Sequence, residues 1–220
     1  MKILVFDTET TNILPNDVPI MRKFLHHFPS VVQLSFILYD TYTNEVIESH
    51  DYVVKIPEHV PLSQESIDIH GIDREIMEER GVDITHALNE FRKCYLKCNK
   101  LVAHNIKFDT TMITVESMRS EIKSIINVID PNRKCYCTMR NSIDICNIEV
   151  TSKSGKTYHK FPKQIELHKL LFGDTINEEK LHNSFIDILV CLRCYMMMEH
   201  KLDVIEKDAV INEHFSKISK

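Results

Sequence analysis

"KILVFDTETTN", residues 2–12, sets four apolar residues in a row, Ile3 to Phe6, directly ahead of Asp7 and Glu9. A continuous apolar run is the pattern of a central strand covered on both faces. Side chains two apart on a strand share a face, so Asp7 and Glu9 project together at its C-terminal end. In open α/β sheets that end is where ligands gather. Two neighbouring carboxylates repel unless a cation neutralises them. Oxygen ligands with no Cys or His between them suit Mg²⁺ or Mn²⁺. Taken alone, the stretch fits a solvated strand end equally well.

Working outward, "VVQLSFILYD" (31–40) and "EVIESHDYVVKI" (45–56) read as strands, and the polar link "TYTN" (41–44) makes them an antiparallel hairpin. Residues 12–30 form a longer connection with Pro15, Pro19 and Pro29, with room for a short helix and able to line a cleft. Ile84, Ala87, Leu88, Phe91 and Tyr95 keep helical spacing on one apolar face. "KLVAH" (100–104) reads as a buried strand, and Phe108, Met112, Val115 and Met118 as the helix after it. "NSIDICNI" (141–148) is expected to be a strand. "QIELHKLLFG" (164–173) reads as a helix stopped by Gly173, and Phe185 to Met196 as a last long amphipathic helix. The polar, basic "TSKSGKTYHKFPK" (151–163) is a surface loop or small hairpin. A hairpin first, then alternating helices and strands, predicts an α/β domain with a mixed sheet. Residues 1–199 form that domain in this reading, and 200–220 a charged C-terminal helix or tail.

The length of 220 residues suits one domain, and 43% hydrophobic with 27% charged residues suits a soluble globular chain. No apolar run approaches the ~18 residues of a membrane span. The acidic "MKILVFDTET" start is unlike a signal peptide. A cytoplasmic or nuclear protein, not secreted and without a membrane partner, is expected. The odd count of seven cysteines points to free thiols in a reducing compartment. "CLRC" (191–194) has the spacing of a zinc or redox pair, but it lies in an apolar helical pattern with no second pair to match, so it reads as packing. A net charge of −5 disfavours grip on duplex DNA by bulk charge and leaves a metal-dependent nuclease open.

Two more stretches carry acids. In "VAHNIKFD" (102–109) a buried strand ends, Asn105 is placed to cap a helix, and Asp109 follows about a turn in. By itself Asp109 reads as a helix-surface acid. In "HNSFID" (182–187) His182 sits ahead of the last helix and Asp187 in its first turn, so both can face one site. "SFID" also fits a capping box, which accounts for Asp187 without a metal but leaves His182 unexplained.

Taken together, the three stretches resemble the DEDD exonuclease superfamily, in the branch with a catalytic histidine (DEDDh). That is the group of the DNA polymerase III proofreading subunit and ribonuclease T. The D-x-E motif matches Asp7-Thr8-Glu9, the second aspartate matches Asp109, and H-x4-D matches His182 and Asp187. "IHGI" (69–72) is similar to the segment between the first two motifs. The family often has Gly after "DTETT"; this chain has Asn12, which tolerates left-handed backbone.

The resemblance implies a ribonuclease H-like fold with a five-stranded mixed sheet flanked by helices. It implies a 3′→5′ exonuclease that needs two Mg²⁺ or Mn²⁺ ions per site and releases nucleoside 5′-monophosphates from DNA, single-stranded or frayed. Asp7 is expected on both ions, Glu9 and Asp187 on the ion that holds the attacking water, and Asp109 on the second. His182 is expected to take the water's proton. Thr10, Thr11, His70, Asn105 and Lys156 are expected on the nucleic acid. Lys153, Lys156, Lys160 and Lys163 either track phosphates or form a solvated loop. An exoribonuclease, or an inactive nucleic-acid-binding accessory subunit, is the alternative. Partners beyond DNA or RNA 3′ ends, such as a second copy or a polymerase or replication complex, stay open.

Overall fold

The computed structural model describes residues 1–122, 134–173, 176–177 and 182–218. In chain order the elements are β1 (Lys2–Thr10), β2 (Val31–Asp40), β3 (Glu45–Val53), α1 (Gln64–His70), α2 (Arg74–Arg80), α3 (Ile84–Lys97), β4 (Lys100–Ala103), α4 (Ile106–Arg119), β5 (Lys134–Cys137), α5 (Thr138–Asn141), α6 (Ile143–Cys146), β6 (Glu149–Thr151), β7 (Thr157–His159), α7 (Gln164–Phe172), α8 (Ser184–His200) and α9 (Ala209–Ile218). A five-stranded sheet runs β3-β2-β1-β4-β5. β1 pairs antiparallel with β2 and parallel with β4, and β4 pairs parallel with β5. The sheet is mixed and flanked by helices, as expected.

Strand parity explains why β1 and β2 read as unbroken apolar runs. Ile3, Val5, Ile37 and Tyr39 face α8 and α9, among Ile188, Leu192, Tyr195, Ile211 and Phe215. Leu4, Phe6, Leu34, Phe36 and Leu38 face α3 and α4, among Leu88, Phe91, Met112 and Ile113. With helices on both sides, every position of a central strand must be apolar. Each fully buried Leu or Phe contributes about 1.5–3 kcal/mol. β3 lies at the edge, and its burial alternates. The 41–44 link closes the β2–β3 hairpin, with Asn44 left-handed at φ 60°.

Three expectations need correction. Residues 141–148 are not a strand: they hold the last residue of α5 and all of α6, and Asn147 ends α6 at φ 49°. Ile143, Ile145 and Ile148 do not keep strand spacing throughout, and Asn141 turns back to donate to the Cys137 carbonyl at 2.8 Å. The fifth strand is instead "KCYC", which takes the free parallel edge beside β4. At the start of α8 the cap is Asn183, whose Oδ1 accepts from the backbone of Phe185 and Ile186. Ser184 is therefore inside the helix, and the "SFID" capping box does not form. Asn105 does hold the N-cap position of α4, but at φ 66° and without a side-chain cap bond.

Other expectations stand. The 12–30 connection holds a 3-10 turn, Arg22–His27. Arg119 clamps it by donating to the carbonyls of Leu25, Phe28 and Pro29 at 2.7–2.8 Å. Residues 151–163 take part in a two-stranded hairpin, β6–β7, that starts two residues earlier at Glu149 and has Gly155 at φ 82° in its turn. Gly173 stops α7 at φ 73°, a left-handed conformation that glycine adopts without strain. Cys191 and Cys194 are buried in the core under α8. Beyond α8, Asp203 accepts two bonds from buried Arg193, at 2.9 and 2.7 Å, and α9 packs Ile211 and Phe215 into the core. No helix of the described residues is long and apolar enough to cross a membrane.

Candidate active site

β1 delivers the first two acids. Asp7 and Glu9 continue the face of Ile3 and Val5, which is the α8 side of the sheet. α8 begins over that strand end and brings Asp187 in its first turn. One carboxylate oxygen from each of Asp7, Glu9 and Asp187 lies within 4.8 Å of the other two. Asp109 comes from the opposite layer, in the first turn of α4, and is buried. It is not part of the 4.8 Å set but lines the same cleft, of about 570 Å³, with His104, Asn105, Gln164 and His182.

Two of the acids, Asp109 and Asp187, are held by neighbours. Thr8 points its side chain away from Asp7 and so meets Asp109; its backbone N–H and Oγ1 donate to Asp109 Oδ1 at 3.0 and 2.9 Å. Asp187 Oδ2 accepts from the His182 backbone N–H at 3.0 Å, and Oδ1 from Gln164 Nε2 at 3.2 Å. His182 has φ 65°, a left-handed turn that places it ahead of the helix, as the sequence reading requires.

The electrostatics are those of a site built for cations. Burial, then Asp109, Asp187 and Glu9, raise the Asp7 carboxyl well above the ordinary range. Burial, then Asp187 and Asp109, push Glu9 up to about 9. Asp109 rises to about 7 through burial, opposed by its bonds from Thr8. Burial also brings Asp187 to about 7, opposed by the bond from His182. Without a cation these groups hold protons that carboxyls ordinarily give up.

Two imidazoles line the cleft, and they differ. His104 Nε2 donates to the Pro162 carbonyl at 3.1 Å and Nδ1 lies 2.9 Å from Thr138 Oγ1. Burial lowers it to about 4, so it is a neutral tie from the end of β4 to α5 and to the loop ahead of α7. His182 is exposed on the cleft.

The expected nucleic-acid residues are spread over several places. Asn105 lines the carboxylate cleft. Thr10 and His70 line an adjoining pocket of about 330 Å³ with Thr8, Glu9, Ile69 and Phe108. His70 is buried; its Nδ1 accepts from the Ile72 backbone at 3.0 Å, and its Nε2 has no hydrogen-bond partner. Thr11 lines a separate cleft, and its Oγ1 accepts from Ser30 N–H at 3.1 Å. Lys156 is exposed in the β6–β7 turn and lines none of these three spaces. Asn12 is not left-handed: its Oδ1 accepts from Ile13 N–H, and its carbonyl from Thr10 Oγ1 at 2.6 Å. The turn thus needs no glycine-like residue here. Sequence reasoning missed Thr8, His104 and Gln164. Only Thr8 carried a signal, since alternation puts it opposite its two acidic neighbours.

With this geometry, the comparisons with known proteins are direct. The family model described as Exonuclease, of the RNase T type, matches residues 4–195. The chain belongs to this exonuclease family. No curated protein matches the sequence. Among solved structures, E. coli exonuclease I in complex with a dT13 oligonucleotide superposes with a TM-score of 0.64 at 13% identity, over 91% of this chain and 42% of that one. The same enzyme with a 5cy-dT13 oligonucleotide gives 0.66 at 13% identity, over 98% and 43%. Exonuclease I from Methylocaldum szegediense gives 0.59 at 15% identity, over 98% and 43%. The likeness establishes a ribonuclease H-like fold; the chain spans less than half the length of the exonuclease I chains it matches.

Proposed function

We propose that this chain is a metal-dependent 3′→5′ exonuclease that removes nucleoside 5′-monophosphates from single-stranded or frayed DNA. The observation that carries the reading is the meeting of Asp7, Glu9 and Asp187 within 4.8 Å at the end of a buried strand, with Asp109 and His182 in the same cleft.

The donor set fits Mg²⁺ or Mn²⁺: it is all carboxylate, and burial and mutual repulsion make it unfavourable without positive charge. Asp7, Glu9 and Asp187 would hold one ion and Asp7 with Asp109 a second. When bound, two such ions lower the pKa of water and neutralise charge on the leaving oxygen. The remaining work belongs to the chain. His182 accepts the proton of the attacking water on a ring nitrogen, a role suited to an imidazole near neutral pH. Gln164 and the His182 backbone N–H fix the rotamer of Asp187. Thr8 fixes that of Asp109. Thr10 and His70 line a recess beside the acids that is sized for the terminal nucleoside.

A 5′-labelled oligonucleotide tests the reading, DNA beside RNA, with and without Mg²⁺. A Mg²⁺-dependent ladder descending one nucleotide at a time on DNA supports it. Shortening of RNA alone makes the chain an exoribonuclease, since that choice rests on contacts to the 2′-hydroxyl. Tight binding with no shortening of either makes it an accessory subunit.

A further inference from the structure

On the other side of the sheet from Asp7, β3 and α3 close on a second group of ligand-type side chains. Glu48 and His50 lie two apart on β3 and share the face of Phe36 and Leu38, with which they pair across the ladder. Cys94 reaches them from α3 and is buried. Glu48 Oε2 lies 3.4 Å from Cys94 Sγ and 3.6 Å from His50 Nε2. One donor atom from each residue lies within 4.8 Å of the other two. A tetrahedral Zn²⁺ with Zn–S of about 2.3 Å and Zn–N or Zn–O of about 2.0–2.2 Å has donor–donor edges of about 3.3–3.7 Å. Both distances from Glu48 Oε2 fall in that range.

The imidazole is set up as a ligand. Its Nε2 is buried and has no hydrogen-bond partner. Its Nδ1 lies 3.1 Å from Tyr52 Oη, the kind of outer partner that fixes the tautomer and aim of a ligating histidine. Phe36 stacks on the ring with centroids 4.7 Å apart. The nearest acceptor to Nε2 is Glu48 Oε2 at 3.6 Å, beyond hydrogen-bond distance, and a cation between the two atoms would satisfy both. The Lys97 ammonium bonds the other carboxylate oxygen, Glu48 Oε1. Lys97 is half-exposed and can leave towards solvent.

We propose that Glu48, His50 and Cys94 bind one transition-metal ion of the Zn²⁺ class. Thiolate, imidazole and carboxylate form a softer set than the all-carboxylate cleft, so the two sites select different metals. Binding releases the Cys94 thiol proton to water and leaves the fourth position to a water molecule. The ion ties edge strand β3 to α3, and Lys97 competes with it for Glu48.

Co²⁺, which reports thiolate ligation by a near-ultraviolet charge-transfer band, is the probe, titrated into the metal-depleted full chain. One equivalent is expected to develop the band. Cys94→Ser and His50→Gln should abolish it and Asp7→Asn should retain it. Zn²⁺ should bleach the band and raise the melting temperature. No band in the wild-type chain, or one that survives Cys94→Ser, overturns the proposal. Should the buried substitution fail to fold, Lys97→Met keeps the test open. It should bind Co²⁺ several-fold more tightly because the competing ammonium is gone, and equal or weaker binding overturns the proposal.

Discussion

Asp7 faces three other carboxyls in a cleft that burial has partly stripped of water. Asp7→Asn removes one of those charges at nearly constant volume. Activity should fall by about a hundred- to a thousandfold, the scale of a lost electrostatic contribution to catalysis. The metal-free variant should melt a few degrees higher than wild type near neutral pH, because a buried carboxyl no longer has to take up a proton on folding. Rates and melting curves on the same preparations check both. Thr8→Val acts one step further out. It removes the hydroxyl bond to Asp109 but leaves the backbone N–H in place. The Mg²⁺ concentration for half-maximal rate should rise several-fold while the fold is unchanged, and a Mg²⁺ titration of the rate reads this. At this scale the sequence was partly legible. Spacing and resemblance named Asp7, Glu9, Asp109, His182 and Asp187, and the fold brings these five to one cleft. Gln164 and His104 were not legible, because their importance comes from α7 beginning and β4 ending beside the cleft, and no local pattern encodes that.

At the scale of elements, Asn183 decides how α8 starts. Its side chain satisfies two orphan backbone N–H groups at the helix end. Asn183→Ala should cost about 1 kcal/mol in urea unfolding. It should also slow turnover more than it weakens substrate binding, since His182 and Asp187 flank the cap; kcat measured against KM separates the two. The core makes a larger claim. Phe91 meets both Phe6 and Phe36, with ring centroids 5.3 and 5.4 Å apart. Phe91→Ala should cost about 3–5 kcal/mol, again by urea unfolding. Long buried strands such as β1 and β2 were legible because helices cover both of their faces. β5, α5 and α6 were not, because each is only four residues long and periodicity cannot choose between helix and strand over so short a run.

Across the whole molecule, the acidic cleft links stability to pH and to metal. In the unfolded chain its carboxyls ionise near their usual values of about 4. In the metal-free fold Asp109 and Asp187 hold their protons to about 7 and Glu9 to about 9. The folded state therefore binds more protons across that interval, and its stability falls as pH rises. Below the unfolded values the contribution is fully present. The metal-free chain should lose melting temperature between about pH 5 and 9, and Mg²⁺ should restore more of it at the alkaline end. A calorimetric pH series with and without Mg²⁺ checks the sign.

The central claim is that acids from β1, α4 and α8 share divalent cations. Crystals soaked in Mn²⁺ and a deoxynucleoside 5′-monophosphate test it most directly, through the anomalous signal of the metal. Two peaks are predicted, both in contact with Asp7, one also touching Glu9 and Asp187 and the other lying toward Asp109. A protein that degrades DNA in Mn²⁺ but shows no anomalous peak at Asp7 would contradict the account.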